Sequence, residues 1–305
     1  MEVNILMSAY NGEKFIAEQI KSIQQQTFTD WQLIIRDDGS HDKTCEIIDS
    51  FVKNDNRITL VKAENVGVIK SFYELVKKYP ADFSFFSDQD DFWLPDKLQI
   101  MLDETKKHDN SKPIMYYTDL KVVDKNLTVL SKSMIRSQSD HANTELVQEL
   151  TENTVTGCTS MINAALAKEW QDTENIIMHD WYLALVATAL GELVYIDRAT
   201  ILYRQHDNNV LGSRTLSKRV KNWTNHWLDK YWWLIDSSQV QAKKLLSFEH
   251  LSPQKRSLIT DYVSLLEQPL GKRRKILKRN NLRKNKTLHT FIFKTLIITK
   301  FAYKK

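Results

Sequence analysis

The sequence predicts an α/β protein built on a mixed, mostly parallel sheet flanked by helices, with a basic helical extension behind it. Three observations carry this expectation. Short apolar runs alternate four times with stretches of helical apolar spacing over the first hundred residues, the pattern of strands that cross over through helices into a parallel sheet. Each run ends in polar residues, which puts chemistry at strand C-termini, where open α/β sheets bind ligands. Charge is also split: Ser213 to the C-terminus carries 22 Lys/Arg against 5 Asp/Glu (+17), leaving 21 against 33 (−12) in the first 212 residues. An acidic body with a basic tail suits an anionic surface.

The elements follow in order. Val3–Met7 is a first strand, closed by Ser8-Ala9-Tyr10-Asn11-Gly12; Phe15, Ile16, Ile20 and Ile23 then recur at helical spacing. Trp31–Ile35 is a second strand ending in Asp37-Asp38-Gly39-Ser40, followed by a helix over Thr44–Val52. Ile58–Val61 is the third strand and Ile69–Lys78 its helix. The fourth strand, Phe83–Phe86, runs into Ser87-Asp88-Gln89-Asp90-Asp91, and Pro95 opens another helix. Three carboxylates within four positions repel one another unless water or a cation separates them. A hard divalent cation sharing them with phosphate oxygens fits a strand end.

Past residue 113 the alternation loosens. Ile114–Leu120 and Lys121–Val123 read as strand, and Ser131–Asn143 as a polar loop. Val155–Ile162 is a small-residue turn into an apolar stretch, Asp180–Leu190 an apolar helix, and Leu193–Ile196 and Ala199–Arg204 two further strands. Leu216–Leu246 is helical, with tryptophans on its apolar stripe, and Leu288–Tyr303 is apolar but broken by Lys294 and Lys300. That last pattern is interfacial and not spanning. The expected organisation is a 1–212 domain, in halves 1–112 and 113–212, and a 213–305 membrane-associating extension.

Composition narrows the class. Two cysteines, Cys45 and Cys158, make no disulfide framework and fit a reducing compartment. No export signal is read at Met1–Asn4 and no run of 18 apolar residues occurs. No nucleic-acid motif accompanies the basic tail, and aromatics beside lysines suit headgroup depth. Neither Walker nor Rossmann glycine loops are present.

Ser8–Gly12, Asp37–Ser40, Asp88-Gln89-Asp90-Asp91, His179-Asp180-Trp181 and Tyr203-Arg204-Gln205-His206 occur in one order along the chain. In that order they resemble family-2 glycosyltransferases of the GT-A fold, and most of all the bacterial rhamnosyltransferases of cell-surface polysaccharide synthesis. The resemblance spans about residues 2–212. It implies a GT-A fold, a nucleotide-sugar donor (dTDP or UDP) and a divalent cation, Mg2+ or Mn2+. Ser8, Tyr10, Asn11, Glu13 and Asp38 would hold the nucleotide; Asp37 would assist, with capping of the Gly39 turn as its other reading. Asp88 and Asp90 would bind metal, joined by His206, with Gln89 toward the ribose. Lys70 and Arg204 would neutralise phosphate.

Asp180 would be the general base that takes the acceptor proton; helix capping is its competing role. Gly157, Cys158, His179 and Trp181 would border the acceptor, Trp181 as an apolar platform. A nucleophilic Cys158 lacks a paired His. A single base implies direct displacement with inversion, unlike the paired carboxylates of glycoside hydrolysis. The expected activity is transfer of L-rhamnose from dTDP-rhamnose to a lipid-linked saccharide, at the cytoplasmic membrane face. A homodimer is among the expected assemblies. The rivals are a UDP-hexose or UDP-N-acetylhexosamine transferase, a non-catalytic sugar-nucleotide or polysaccharide-binding module, and a nucleotidyltransferase.

Overall fold

The computed structural model describes residues 1–139, 141–205 and 227–303. The first half follows the predicted alternation: β1 (Val3–Ala9), α1 (Ile16–Gln24), β2 (Gln32–Asp37), α2 (Thr44–Val52), β3 (Ile58–Lys62), α3 (Val68–Lys78) and β4 (Phe83–Ser87). Strands β1 and β4 are buried at nearly every position, as strands covered by helices on both faces must be. They lie side by side and parallel, with Met7 opposite Ser87, while β2 and β3 extend outward from the other edge of β1. Chain order therefore reverses between β1 and β4, which opens a crevice beyond their C-terminal ends.

The second half comprises β5 (Phe92–Trp93), α4 (Lys97–Thr105), β6 (Ile114–Val123), β7 (Val129–Ser131), α5 (Met134–Gln138), α6 (Leu146–Glu149), β8 (Ser160–Asn163), α7 (Ala164–Glu169), α8 (His179–Leu190) and β9 (Glu192–Arg204). The sheet order is β3-β2-β1-β4-β8-β6-β9-β5, with β7 on β6. It is parallel through β4 and mixed beyond, where β8 runs against both β4 and β6, and β9 runs along β6.

Two local expectations change. The predicted pair of strands at 193–204 is one strand, because register shifts around Asp119 absorb the polar Asp197-Arg198 step. The predicted loop at 131–143 contains α5, whose N-cap Ser133 accepts from the Arg136 N–H at 3.0 Å while Ile135 is buried.

Two apolar cores fill the faces of the sheet, one containing residues of α1, α2 and α4, the other residues of α3 and α8. The second continues into α9 (Trp227–Lys243), α10 (Pro253–Val263), α11 (Leu270–Arg279) and α12 (Thr287–Thr299) through Ile235, Tyr262, Ile276 and Phe293. The C-terminal helices are thus fastened to the body by a shared core. Trp232 is buried with its indole N–H on the Phe301 carbonyl at 3.0 Å, whereas Trp233 is 60% exposed. Among the described residues no helix is long and apolar enough to cross a membrane.

Candidate active site

The loops after β1 and β2 are knitted together by side chains that cap each other's backbone. Asn11 adopts φ 49° and accepts from the His41 N–H at 2.9 Å, while its own N–H donates to Ser40 Oγ at 2.9 Å. Glu13 accepts from the Lys43 N–H, and Asp42 from the Glu13 N–H, both at 3.1 Å. Asn11 and Glu13 therefore set the shape of the crevice wall. Ser8, half-buried, and Tyr10, exposed, remain to present side chains.

Asp38 lies 3% exposed at the end of β2. It accepts the Val66 and Gly67 backbone N–H groups, at 3.1 and 2.9 Å to Oδ2, and is paired with Arg36. This fixes the carboxylate beside the start of α3, where Lys70 is exposed in the first turn. Asp37 caps the turn, accepting from Ser40 N–H at 3.0 Å, and its Oδ1 has no partner among the described residues.

The acidic turn after β4 is clamped on two sides. Gln89 accepts from the Tyr10 N–H at 3.0 Å and donates to the Tyr10 carbonyl at 2.9 Å, which spends both ends of the amide expected at the ribose. A Cβ on Gly12 would sit 2.1 Å from Gln89 Oε1, so only glycine admits this clasp. Behind the turn, Arg204 is 2% exposed, and its guanidinium donates to the Asp90 carbonyl (3.0 Å), the Lys125 carbonyl (2.7 Å) and Glu18 (2.5 Å). The expectation that Arg204 meets phosphate is corrected accordingly: it is a buried brace of the carboxylate turn. His206 lies outside the described residues.

Within the turn, Asp88 is half-buried. Burial, together with the charges of Asp90 and Asp180, pushes its carboxyl up to about 7. Asp91 is fully buried; burial and its acidic neighbours raise its carboxyl well above the usual carboxylate range. Carboxylates crowded against one another in this way fit a hard divalent cation. Asp88 and Asp90, the expected pair, both lie partly exposed in this turn.

Asp180 faces the same group from the first turn of α8. It is 7% exposed; Oδ1 accepts the Trp181 N–H at 2.6 Å, the Gly157 N–H donates to the same carboxylate, and burial raises it to about 6. The N-cap position belongs to Met178, and the Trp181 N–H that Asp180 accepts is one of the first-turn donors of α8. Its neighbour His179 sits in an aromatic box, with ring centroids 4.5 Å from Phe72 and 5.2 Å from Phe86. Neither ring nitrogen has a partner among the described residues, and burial drives the imidazole down to about 3, hence neutral. Gly157 makes room for it: a Cβ there would lie 2.9 Å from His179 Nε2.

Trp181 is a correction. It is 6% exposed, with its indole N–H on the Glu149 carbonyl at 2.7 Å, so it belongs to the core and offers no platform. Two charged residues were missed. Glu149 is fully buried, and burial with the nearby Asp180 charge raises it well above its usual value. Lys97 is fully buried under the acidic turn, and burial lowers it to about 7. A lone Glu or Lys carries no periodicity that would reveal such burial.

Residues 4–171 match the family model described as glycosyl transferase family 2. The dTDP-rhamnosyl transferase RfbG of Shigella flexneri is 32% identical over 247 residues, 73% of this chain and 81% of that protein. The chain belongs to glycosyl transferase family 2. Among solved structures, S. aureus TarS 1-349 in complex with UDP-GlcNAc superposes with a TM-score of 0.61 at 17% identity, over 92% of this chain and 80% of that one. The Pyrobaculum calidifontis mannosyltransferase PcManGT, in complex with GDP-Man and Mn2+, gives 0.55 at 13% identity, over 91% and 73%. This glycosyltransferase therefore has the GT-A fold.

Proposed function

We propose that this glycosyltransferase moves L-rhamnose from dTDP-rhamnose to a lipid-linked saccharide in cell-surface polysaccharide synthesis, with a divalent cation and inversion at the anomeric carbon. The observation that carries the donor is the likeness to the dTDP-rhamnosyl transferase RfbG, which extends past the family domain.

Ser8, Tyr10 and Asp38 would border the nucleotide, and Asp88 and Asp90 would hold the cation. When bound, that cation neutralises the diphosphate and stabilises its departure. The remaining chemistry belongs to the chain. The Asp180 carboxylate, raised to about 6, is ionised at neutral pH yet basic enough to take the acceptor hydroxyl proton as its oxygen attacks. The Trp181 and Gly157 N–H groups hold the carboxylate in one orientation. Bracing by Arg204 and Gln89 fixes the acidic turn before substrate arrives, so little reorganisation is left for the reaction.

Exposed Leu288, Phe291 and Phe301, together with exposed Lys272, Arg274, Lys275 and Lys278, support a peripheral position on an anionic membrane face, close to a lipid-linked acceptor. The test is a donor panel with a lipid-linked acceptor, read by released nucleoside diphosphate. Release from dTDP-rhamnose, stopped by chelator and restored by Mn2+ or Mg2+, is expected. Faster release from a UDP-hexose or UDP-N-acetylhexosamine would overturn the donor assignment, and release unaffected by chelator would overturn the cation.

A further inference from the structure

The geometry points to a thiophilic cation position formed by Asp88, Asp91 and Cys158, suited to Zn2+ and related ions and overlapping the Asp88–Asp90 pair only at Asp88. One carboxylate oxygen from each aspartate and Cys158 Sγ all lie within 4.8 Å of one another. Tetrahedral zinc, with Zn–S near 2.3 Å and Zn–O near 2.0 Å, sets sulfur and oxygen about 3.5 Å apart. Closing the cluster thus needs movements of about 1 Å, within reach of side-chain rotation.

A second observation points to a ligand. Asp91 is fully buried, and its Oδ2 has no partner among the described residues, while Oδ1 takes the Arg204 backbone N–H at a long 3.3 Å and the carboxyl lies against the Cys158 thiol. A buried polar oxygen without a hydrogen-bond partner is costly, and a cation would remove that cost. Cys158 is 1% exposed and held by the short 3-10 turn Gly157–Thr159, so its sulfur is positioned in advance. Asp88, half-buried, is the side from which an ion and a completing water would enter.

Ligand type does the selecting. Mg2+ asks for six oxygens and gains nothing from a thiol, whereas sulfur favours zinc-class ions. The opposing charge is Lys97, whose Nζ lies 4.7 Å from the centroid of the Trp93 ring and acts on Asp91 and Cys158 electrostatically. Because Asp88 serves both positions, a thiophilic ion would displace the hard one. That last consequence rests on the functional reading above; binding itself does not.

The experiment is a Co2+ titration of the full chain stripped with chelator, read by the thiolate-to-cobalt charge-transfer band and not by turnover. The band is expected in the native protein and in Cys45→Ser, lost in Cys158→Ser, and at least tenfold weaker in Co2+ affinity in Asp91→Asn. Lys97→Met should tighten binding by removing the opposing ammonium. In native protein, which needs no variant to fold, Zn2+ should bleach the band at concentrations at least tenfold below Mg2+. Absence of the band in native protein, its persistence in Cys158→Ser, or equal bleaching by Mg2+ overturns the site whatever the donor proves to be.

Discussion

The strand-end crevice and the C-terminal helices are both rich in charge, but they keep it in opposite states. In the crevice Asp38, Asp91, Asp180 and Arg204 are nearly or fully buried, each held by backbone groups or by one another. On α11, Lys272, Arg274, Lys275 and Lys278 are exposed, and only Arg273 is buried, bonding the Gln268 and Ile298 carbonyls at 3.0 and 2.7 Å. Desolvated charge interacts strongly and shifts proton affinity, which is what chemistry requires. Solvated charge interacts weakly with any one partner but sums over an anionic surface, which is what docking requires.

The sharpest way to break this contrast is to neutralise a buried charge in the crevice. Asp180→Asn should lower kcat by about a thousandfold, within the range that positioned acid–base groups supply, while the donor dissociation constant changes only a few-fold. Turnover of the native enzyme should rise with pH through about 6, as the raised Asp180 carboxyl ionises. Single-turnover rates and donor titration on the same preparation test both. Loss of donor binding in parallel with kcat would place Asp180 in the donor site and not at the acceptor.

The same substitution should stabilise the fold. The Asp180 carboxyl is raised from 3.8 to about 6 by burial, so the folded state holds its proton where the unfolded chain has released it. Ionisation in the folded protein then costs stability above pH 6, on the order of 2–3 kcal/mol by linkage. Asp180→Asn removes that cost: its advantage in chemical denaturation should be full above pH 6 and vanish below about pH 4. An advantage independent of pH would mean that the carboxylate is not strained by burial.

What the sequence made legible follows from periodicity. The four strand–helix alternations show because the inner apolar runs are strands covered on both faces, and the polar residues at their ends show because each run stops abruptly there. What stayed hidden was the direction of individual side chains. Arg204 and Trp181 carry the right chemistry for phosphate and for sugar, yet their polar groups are spent on Asp90, Lys125, Glu18 and Glu149. Glu149 and Lys97 were invisible for the converse reason. Each is one charged residue in an ordinary setting, and burial arises only when α6 and α4 pack onto the body.

Gly157 links these buried groups, and a methyl there gives the next effect in size. In Gly157→Ala the new Cβ would meet His179 Nε2 at 2.9 Å, and the imidazole is confined by Phe72 and Phe86. Relief must come from the 157–159 turn or from the start of α8, the two segments that aim Cys158 and Asp180. Overpacking of this kind costs about 1–3 kcal/mol, and kcat should fall about tenfold with it. Denaturant midpoints and initial rates check the pair. A stability loss with kcat intact would detach the His179 box from catalysis.

The smallest effect belongs to the exposed region and tests the other side of the contrast. Leu288 and Phe291 are 63% and 69% exposed, three residues apart on one face of α12, while Phe293, Leu296 and Ile297 hold the opposite face in the core. Replacing both with serine should therefore leave the fold and turnover on a water-soluble acceptor unchanged, because neither side chain is packed. Partition onto anionic vesicles should drop about tenfold, close to the transfer free energy of partly immersed apolar side chains. Raising salt should weaken the remaining binding, since exposed lysines and arginines act through a screened field. Vesicle sedimentation at two ionic strengths separates these contributions, and unchanged partition in the double variant would mean that this face of α12 does not meet the membrane.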